Sequence, residues 1–108
     1  MKISAAFGVA IVGAFGLEVA MAGIGDADAA QMISRYHCDA CHMTDRKLIG
    51  PAFRAVARKY AGDSAAPHNL KWKIRNGGSG AWGAVPMPPN NIPDPDLIAL
   101  IDWIVALN

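Results

Sequence analysis

The chain has 108 residues, ten Lys and Arg against nine Asp and Glu, a formal net charge of +1, and 53% hydrophobic residues. That length makes one domain. The bases form no dense tract and no nucleic-acid-reading motif occurs, which excludes a nucleic-acid binder.

The chain opens with Lys2 and an apolar or small run, Ile3 to Leu17, followed by Ala20-Met21-Ala22. A short positive start, an apolar stretch and a small-x-small site read as a cleavable secretory signal peptide over residues 1–22. The run is too short for a comfortable membrane span, and an uncleaved anchor is the alternative. Cleavage leaves one domain, residues 23–108, which is 86 residues. A domain that small has a thin core of its own, so a large apolar cofactor would supply much of its interior. The cofactor-free chain is expected to be weakly folded.

Asp26 is expected to cap a first helix running from Ala27 to about Tyr36 or His37. Asp28 suits its positive end. Ala30 and Ile33, with Ala29 and Tyr36, recur at helical spacing, while Gln31, Ser34 and Arg35 face water. The helix delivers the chain to Cys38-Asp39-Ala40-Cys41-His42, which reads CxxCH. That spacing is the attachment signal for a c-type haem. Two thiols can each form a thioether, and the adjacent histidine can place a ring nitrogen on the iron. CxxC also serves as a disulfide, a redox dithiol or half a zinc site. Zinc would need two of His37, His42 and His68, and the first two each flank a ligating cysteine. A redox dithiol wants a βαβ context that is not visible.

Asp45, Arg46 and Lys47 read as exposed. Gly50-Pro51 is a turn, and the Gly50 carbonyl is the expected acceptor for the Nδ1 proton of His42, a bond that would orient the ring. Phe53 to Tyr60 reads as a helix, with Phe53, Val56 and Tyr60 inward and Arg54, Arg58 and Lys59 solvated. Gly62 suits a left-handed cap, and Asp63 or Ser64 can cap the next helix. Pro67 sits early in that helix, which runs to about Arg75. Leu70 and Ile74 face inward, and Lys71, Lys73 and Arg75 form a basic surface. Trp72 either covers the core edge or belongs to a contact surface. His68 is an alternative iron ligand, although a helix-surface histidine is its ordinary reading.

Asn76 to Gly80 breaks the helix, and residues 81–91 suit neither helix nor strand. Pro86, Pro88 and Pro89 stiffen the segment around Met87. A thioether held between prolines suits a soft second axial ligand better than it suits gap-filling in a core. Asn90 can donate to the Met87 sulfur, and the Trp82 indole can reach a haem propionate. Asp94-Pro95-Asp96 gives a cap, a first-turn proline and an acidic start. Leu97, Leu100, Ile101 and Ile104 make the apolar face of this last helix, with Trp103 beside it. It is expected to cross the first helix where Ala29 and Ala30 allow close approach.

Across residues 23–108 the sequence resembles a small bacterial class I cytochrome c of the c551/c552 type. The resemblance rests on the CxxCH stretch, Ile49-Gly50-Pro51-Ala52-Phe53, Lys73-Ile74-Arg75-Asn76-Gly77, Gly80-Ala81-Trp82-Gly83 and Pro86-Met87-Pro88-Pro89-Asn90. It implies an all-α, compact class I cytochrome c fold of four to five short helices around one haem, covalently attached through Cys38 and Cys41. His42 would be the proximal ligand, supported by Pro51 and the Gly50 carbonyl, and Met87 the distal one. Trp82 and Lys73 would address the inner propionate, and Asn90 the Met87 sulfur. Relatives often carry arginine where Lys73 stands, and lysine lacks the forked donor geometry. Many carry phenylalanine where Ile33 stands.

The implied function is that of a periplasmic one-electron carrier between respiratory redox partners, monomeric, soluble after signal cleavage and not an enzyme. Docking would centre on Ile49, Val85, Pro86 and Pro88, with Arg46, Lys47, Lys71 and Lys73 as a charged rim. An enzyme or gas sensor with an open sixth position, and a dedicated subunit of a larger redox enzyme, are the competing readings.

Overall fold

Among the described residues of the computed structural model, the last helix is the longest and most apolar, and three other helices pack on it. The structure describes residues 23–108, with isolated positions 2, 4 and 8 before them. The expected signal peptide, residues 1–22, therefore lies almost wholly outside the described residues. In chain order the elements are α1 (Asp26–Arg35), a 3-10 turn (Cys38–Ala40), α2 (Phe53–Lys59), α3 (Ala66–Asn76) and α4 (Asp94–Val105). Among the described residues, β-pairing is confined to two isolated antiparallel bridges, His42 with Lys47 and Gly78 with Met87. No helix among them is long and apolar enough to cross a membrane.

The spacing of Leu97, Leu100, Ile101 and Ile104 puts all four on one face of α4, and all four are buried. Leu100 and Ile104 pack with Phe53 and Val56 of α2, while Leu97 and Ile101 pack with Ile92. Leu70 of α3 touches both groups and joins them. Each side chain as fully buried as Leu97 contributes roughly 1.5–3 kcal/mol of transfer free energy.

Polar contacts pin α1 to α4 near both ends and fix an antiparallel crossing. The Trp103 indole donates to Asp26 Oδ1 at 3.0 Å. At the other end the Tyr36 hydroxyl donates to Asp96, and Arg35 stands 3.6 Å from the same carboxylate. Between them Ala29 is wholly buried. Ala30 is exposed, so only one of the two expected alanines lies in the crossing. Successive helical residues point about 100° apart, and α1 presents too narrow a face for both.

Two expected caps have other employment. Asp26 is the first residue of α1 rather than its cap, and no side-chain cap bond is made; its carboxylate holds Trp103 instead. Asp94 likewise begins α4 after Pro93 and accepts from Lys71 at 3.3 Å and from Arg75. It thus ties α3 to α4. Asp63 Oδ1 accepts from the Ala65 amide at 2.9 Å in the turn before α3, and Gly62 takes the expected left-handed conformation, φ +74°. Arg54 is not simply solvated: it donates to Asp45 and to the main-chain oxygen of Asn108.

Candidate haem site

One cavity brings together all eight residues singled out from the sequence: Cys38, Cys41, His42, Pro51, Lys73, Trp82, Met87 and Asn90. Its walls are apolar, with Val56, Leu70, Ile74, Leu100, Ile101 and Ile104 supplied by α2, α3 and α4. His68 is exposed and does not line this cavity. Among the described residues no group of three or more His, Cys, Asp or Glu is placed to hold a metal ion, so the zinc alternative finds no support.

The 3-10 turn sets the two thiols and the imidazole. Its bonds run from the Cys41 amide to the Cys38 carbonyl at 3.2 Å and from the His42 amide to the same carbonyl at 2.9 Å. His37 enters the turn with φ +59°, a left-handed conformation uncommon for a residue with a Cβ. Burial pushes the Cys38 thiol pKa up; a backbone hydrogen bond opposes this and the Asp39 charge adds to it.

Three contacts hold the His42 ring. Its Nδ1 lies 2.7 Å from the Pro51 carbonyl oxygen. A carbonyl only accepts, so Nδ1 carries the proton, and in the neutral imidazole Nε2 then has the lone pair. The acceptor is thus the Pro51 carbonyl and not the expected Gly50 carbonyl. Gly50 acts differently: its amide donates to the Cys41 carbonyl at 2.7 Å, and its backbone lies against the imidazole. A Cβ on Gly50 would stand 2.5 Å from Cε1 and 2.8 Å from Nδ1 of that ring. On another side the Phe53 ring stacks on it, centroids 5.2 Å apart and 21° between planes. Amides of Phe53 and Arg54 donate to the carbonyls of Met43 and Thr44, at 2.9 and 3.0 Å, and dock the start of α2 against this loop.

Met87 is positioned through its main chain. Its amide and carbonyl exchange bonds with Gly78 at 2.8 and 3.0 Å. Gly77, at φ +71°, is buried so closely that a Cβ would stand 2.4 Å from the Met87 carbonyl oxygen. Asn90 does not donate to the Met87 sulfur as expected. Its Nδ2 reaches the Pro88 carbonyl at 2.8 Å and the Ile74 carbonyl at 3.3 Å. Its amide also donates to Ile74, at 2.9 Å. Asn90 therefore fastens the proline segment to α3.

Lys73 lines the cavity, whereas Lys71 does not and is drawn instead to Asp94. Beside the cavity Ile49 and Val85 are 56% and 66% exposed. The contact roles of Gly50 and Gly77 were not anticipated. Glycine beside a proline, or after a helix, reads as a turn, and only the fold reveals what a Cβ would strike. The stacking of Phe53 was missed for the same reason.

This donor set fits haem. Two thiols three positions apart can take a covalent link, an imidazole and a thioether share the walls of one apolar cavity, and polar groups are few. The Cytochrome c family model matches residues 26–108. Cytochrome c-552 of Nitrosomonas europaea is 46% identical over 88 residues, covering 81% of this chain and 84% of that protein. Cytochrome c-552 of Hydrogenobacter thermophilus is 45% identical over 89 residues, covering 82% and 90%. The crystal structure of wild-type Nitrosomonas europaea cytochrome c552 superposes with a TM-score of 0.70 at 45% identity, over 73% of this chain and 99% of that one. The helical architecture agrees with these relatives, and family membership implies a covalently attached haem c and electron carriage. The chain belongs to the cytochrome c family, as a small class I cytochrome of the c551/c552 type.

Proposed function

We propose that the protein is a periplasmic one-electron carrier whose haem is held through Cys38 and Cys41 and whose iron is ligated by His42 and Met87. The observation that carries this is the convergence of those four side chains on one apolar cavity, with the His42 Nδ1 engaged by the Pro51 carbonyl. That bond leaves Nε2 as the donor nitrogen and strengthens it.

Bound haem supplies a one-electron ferric/ferrous couple whose potential follows its ligands and their surroundings. The chain's own residues do the rest. Pro51, Gly50 and Phe53 fix the imidazole in one orientation. Pro86 and Pro88 stiffen the backbone on either side of Met87, and Asn90 anchors that backbone to α3. Leu100, Ile101 and Ile104 exclude water from the cavity and lower its dielectric. Lys73 and Trp82 supply donors for the propionates at the rim.

With His42 and Met87 both held toward the cavity, the iron of a bound haem would have no site open to a substrate, and the protein would transfer electrons rather than act as an enzyme. The exposed Ile49 and Val85, with Pro86 and Pro88, offer a small apolar patch to a redox partner. Lys73, which lines the same cavity, supplies a charge to its rim. Such small contacts suit encounters that release quickly. Residues 1–22 act as the signal peptide, and the mature chain, 23–108, is soluble and monomeric.

Mass spectrometry of the protein exported by a host that matures cytochromes c tests the assembly. The expected species begins at Gly23 and carries one haem mass; Cys38→Ala/Cys41→Ala loses that mass. A redox titration should give a single one-electron wave. Retention of residues 1–22, or turnover of peroxide at enzyme-like rates, would contradict the proposal.

A further inference from the structure

Residues 78–87 leave α3 and return as a loop closed at its base by the Gly78–Met87 bridge. At its tip the Gly80 amide donates to the Gly83 carbonyl at 2.8 Å. Gly78, Gly80 and Gly83 all have positive φ, so the loop's shape comes from glycine turns and not from a packed core of its own. Trp82 in this tip lines the cavity yet is 39% exposed. Something outside the loop must hold it against the cavity edge.

Among the described residues, one hydrogen bond reaches residues 79–86 from another element: Lys59 Nζ donates to the Ala81 carbonyl at 3.1 Å. The same ammonium lies 4.6 Å from the centroid of the Trp82 ring. Lys59 is the last residue of α2, and α2 is packed through Phe53 and Val56 into the core beside the His42 ring. One side chain thus binds both the backbone and the aromatic ring of the loop tip, from a helix that also lines the cavity through Phe53 and Val56. A charged donor makes a stronger hydrogen bond than a neutral one, and a cation over an indole adds attraction to the same contact.

We infer that Lys59 is a positioning residue: it latches the 78–87 loop and holds Trp82 at the cavity rim. The inference rests on the haem reading of this cavity only for its consequence, namely that Trp82 is kept where it can meet a propionate. The latch itself is a property of the chain. Lys59→Met removes the charge and the donor but keeps most of the apolar stem. Lys59→Arg restores both a cation and a donor.

The test is amide hydrogen exchange by NMR on the haem-loaded protein, read at Gly80 and at Gly78 and Met87, alongside the midpoint potential and the ferric absorption spectrum. In Lys59→Met, exchange at Gly80 should quicken about tenfold, the order expected for losing one charge-assisted bond and one exposed cation–π contact. The amides of Gly78 and Met87 should keep their protection, and Lys59→Arg should return Gly80 close to wild type. The potential should shift in Lys59→Met while the methionine-ligation signature persists. Unchanged exchange at Gly80 in Lys59→Met would overturn the latch. Equal quickening at Gly78 and Met87 would also overturn it, because the effect would then be global destabilisation. A wild-type spectrum without methionine ligation would instead defeat the haem-ligand assignment, and the exchange comparison would still decide the latch.

Discussion

The backbone of Gly50 lies against the imidazole of His42, and the carbonyl of the next residue, Pro51, takes that ring's Nδ1 at 2.7 Å. The two contacts come from adjacent residues and act on one ring. A methyl group at position 50 would stand 2.5 Å from Cε1, closer than real Cβ contacts permit. Phe53 stacks on the same ring, so the imidazole has little room to yield. Gly50→Ala should destabilise the haem-loaded protein by about 1–3 kcal/mol, the usual cost of forcing extra volume into a packed site. Denaturant unfolding followed by helical circular dichroism measures it, and a change below a few tenths would show that the ring can move.

Gly77 stands in the same relation to the other wall. Its φ of +71° and the 2.4 Å approach of a virtual Cβ to the Met87 carbonyl both exclude a side chain. Gly77→Ala should pull the Met87 segment away from α3 and break its bridge to Gly78. The expected result is weakened methionine ligation, seen as loss of ferric charge-transfer intensity, together with a lower midpoint potential.

His37 is the one non-glycine residue with positive φ among the described residues. The conformation is uncommon for any residue with a Cβ, and glycine adopts it freely. His37→Gly should therefore stabilise the protein by about 0.5–1 kcal/mol, the relief of strain exceeding the extra freedom glycine gives the unfolded chain. The check is a rise in the denaturation midpoint with an unchanged slope.

Tyr36 joins α1 to α4 through Asp96. The hydrogen bond to that carboxylate is the main cause raising the phenol's pKa above its usual 10.0; burial adds to it, and the Arg35 side chain opposes both. A raised pKa in the folded state stabilises it fully while the phenol is protonated in both states. The contribution is then lost as pH rises from the ordinary value through the raised one. The stability difference between wild type and Tyr36→Phe should stay constant from about pH 7 to 9 and shrink above about 10. A difference that grows above that range would reverse the sign and refute the link.

Much of this was legible in the chain. CxxCH, the proline-bracketed Met87 and the spacing of Leu97, Leu100, Ile101 and Ile104 carry their meaning in local pattern. Each depends on residues a few positions apart, so the helices, the two thiols, His42 and Met87 could be named from local pattern, whereas Lys73 as a propionate donor follows only from the resemblance to c551/c552 cytochromes. What local pattern does not carry is which partner a polar group takes at long range. Asp26 and Asp94 look like helix caps, but Trp103, Lys71 and Arg75 arrive from elsewhere in the chain. Asn90 stands close enough in sequence to suggest the Met87 sulfur as its partner, but its side chain holds two carbonyls instead. Lys59 read as a solvated base because its partner, the 78–87 loop, has no regular structure from which a position could be inferred. The choice of the Pro51 carbonyl over that of Gly50 depends on a turn geometry that spacing alone leaves open.

His42 and Met87 would together ligate the iron of the bound haem. The most direct test is the absorption spectrum of the oxidised, haem-loaded protein and of Met87→Ala. The wild type should show the weak long-wavelength charge-transfer band of methionine sulfur on low-spin ferric haem, and the variant should lose it. A wild type lacking that band, or a Met87→Ala protein retaining it, would rule out Met87 as the second iron ligand.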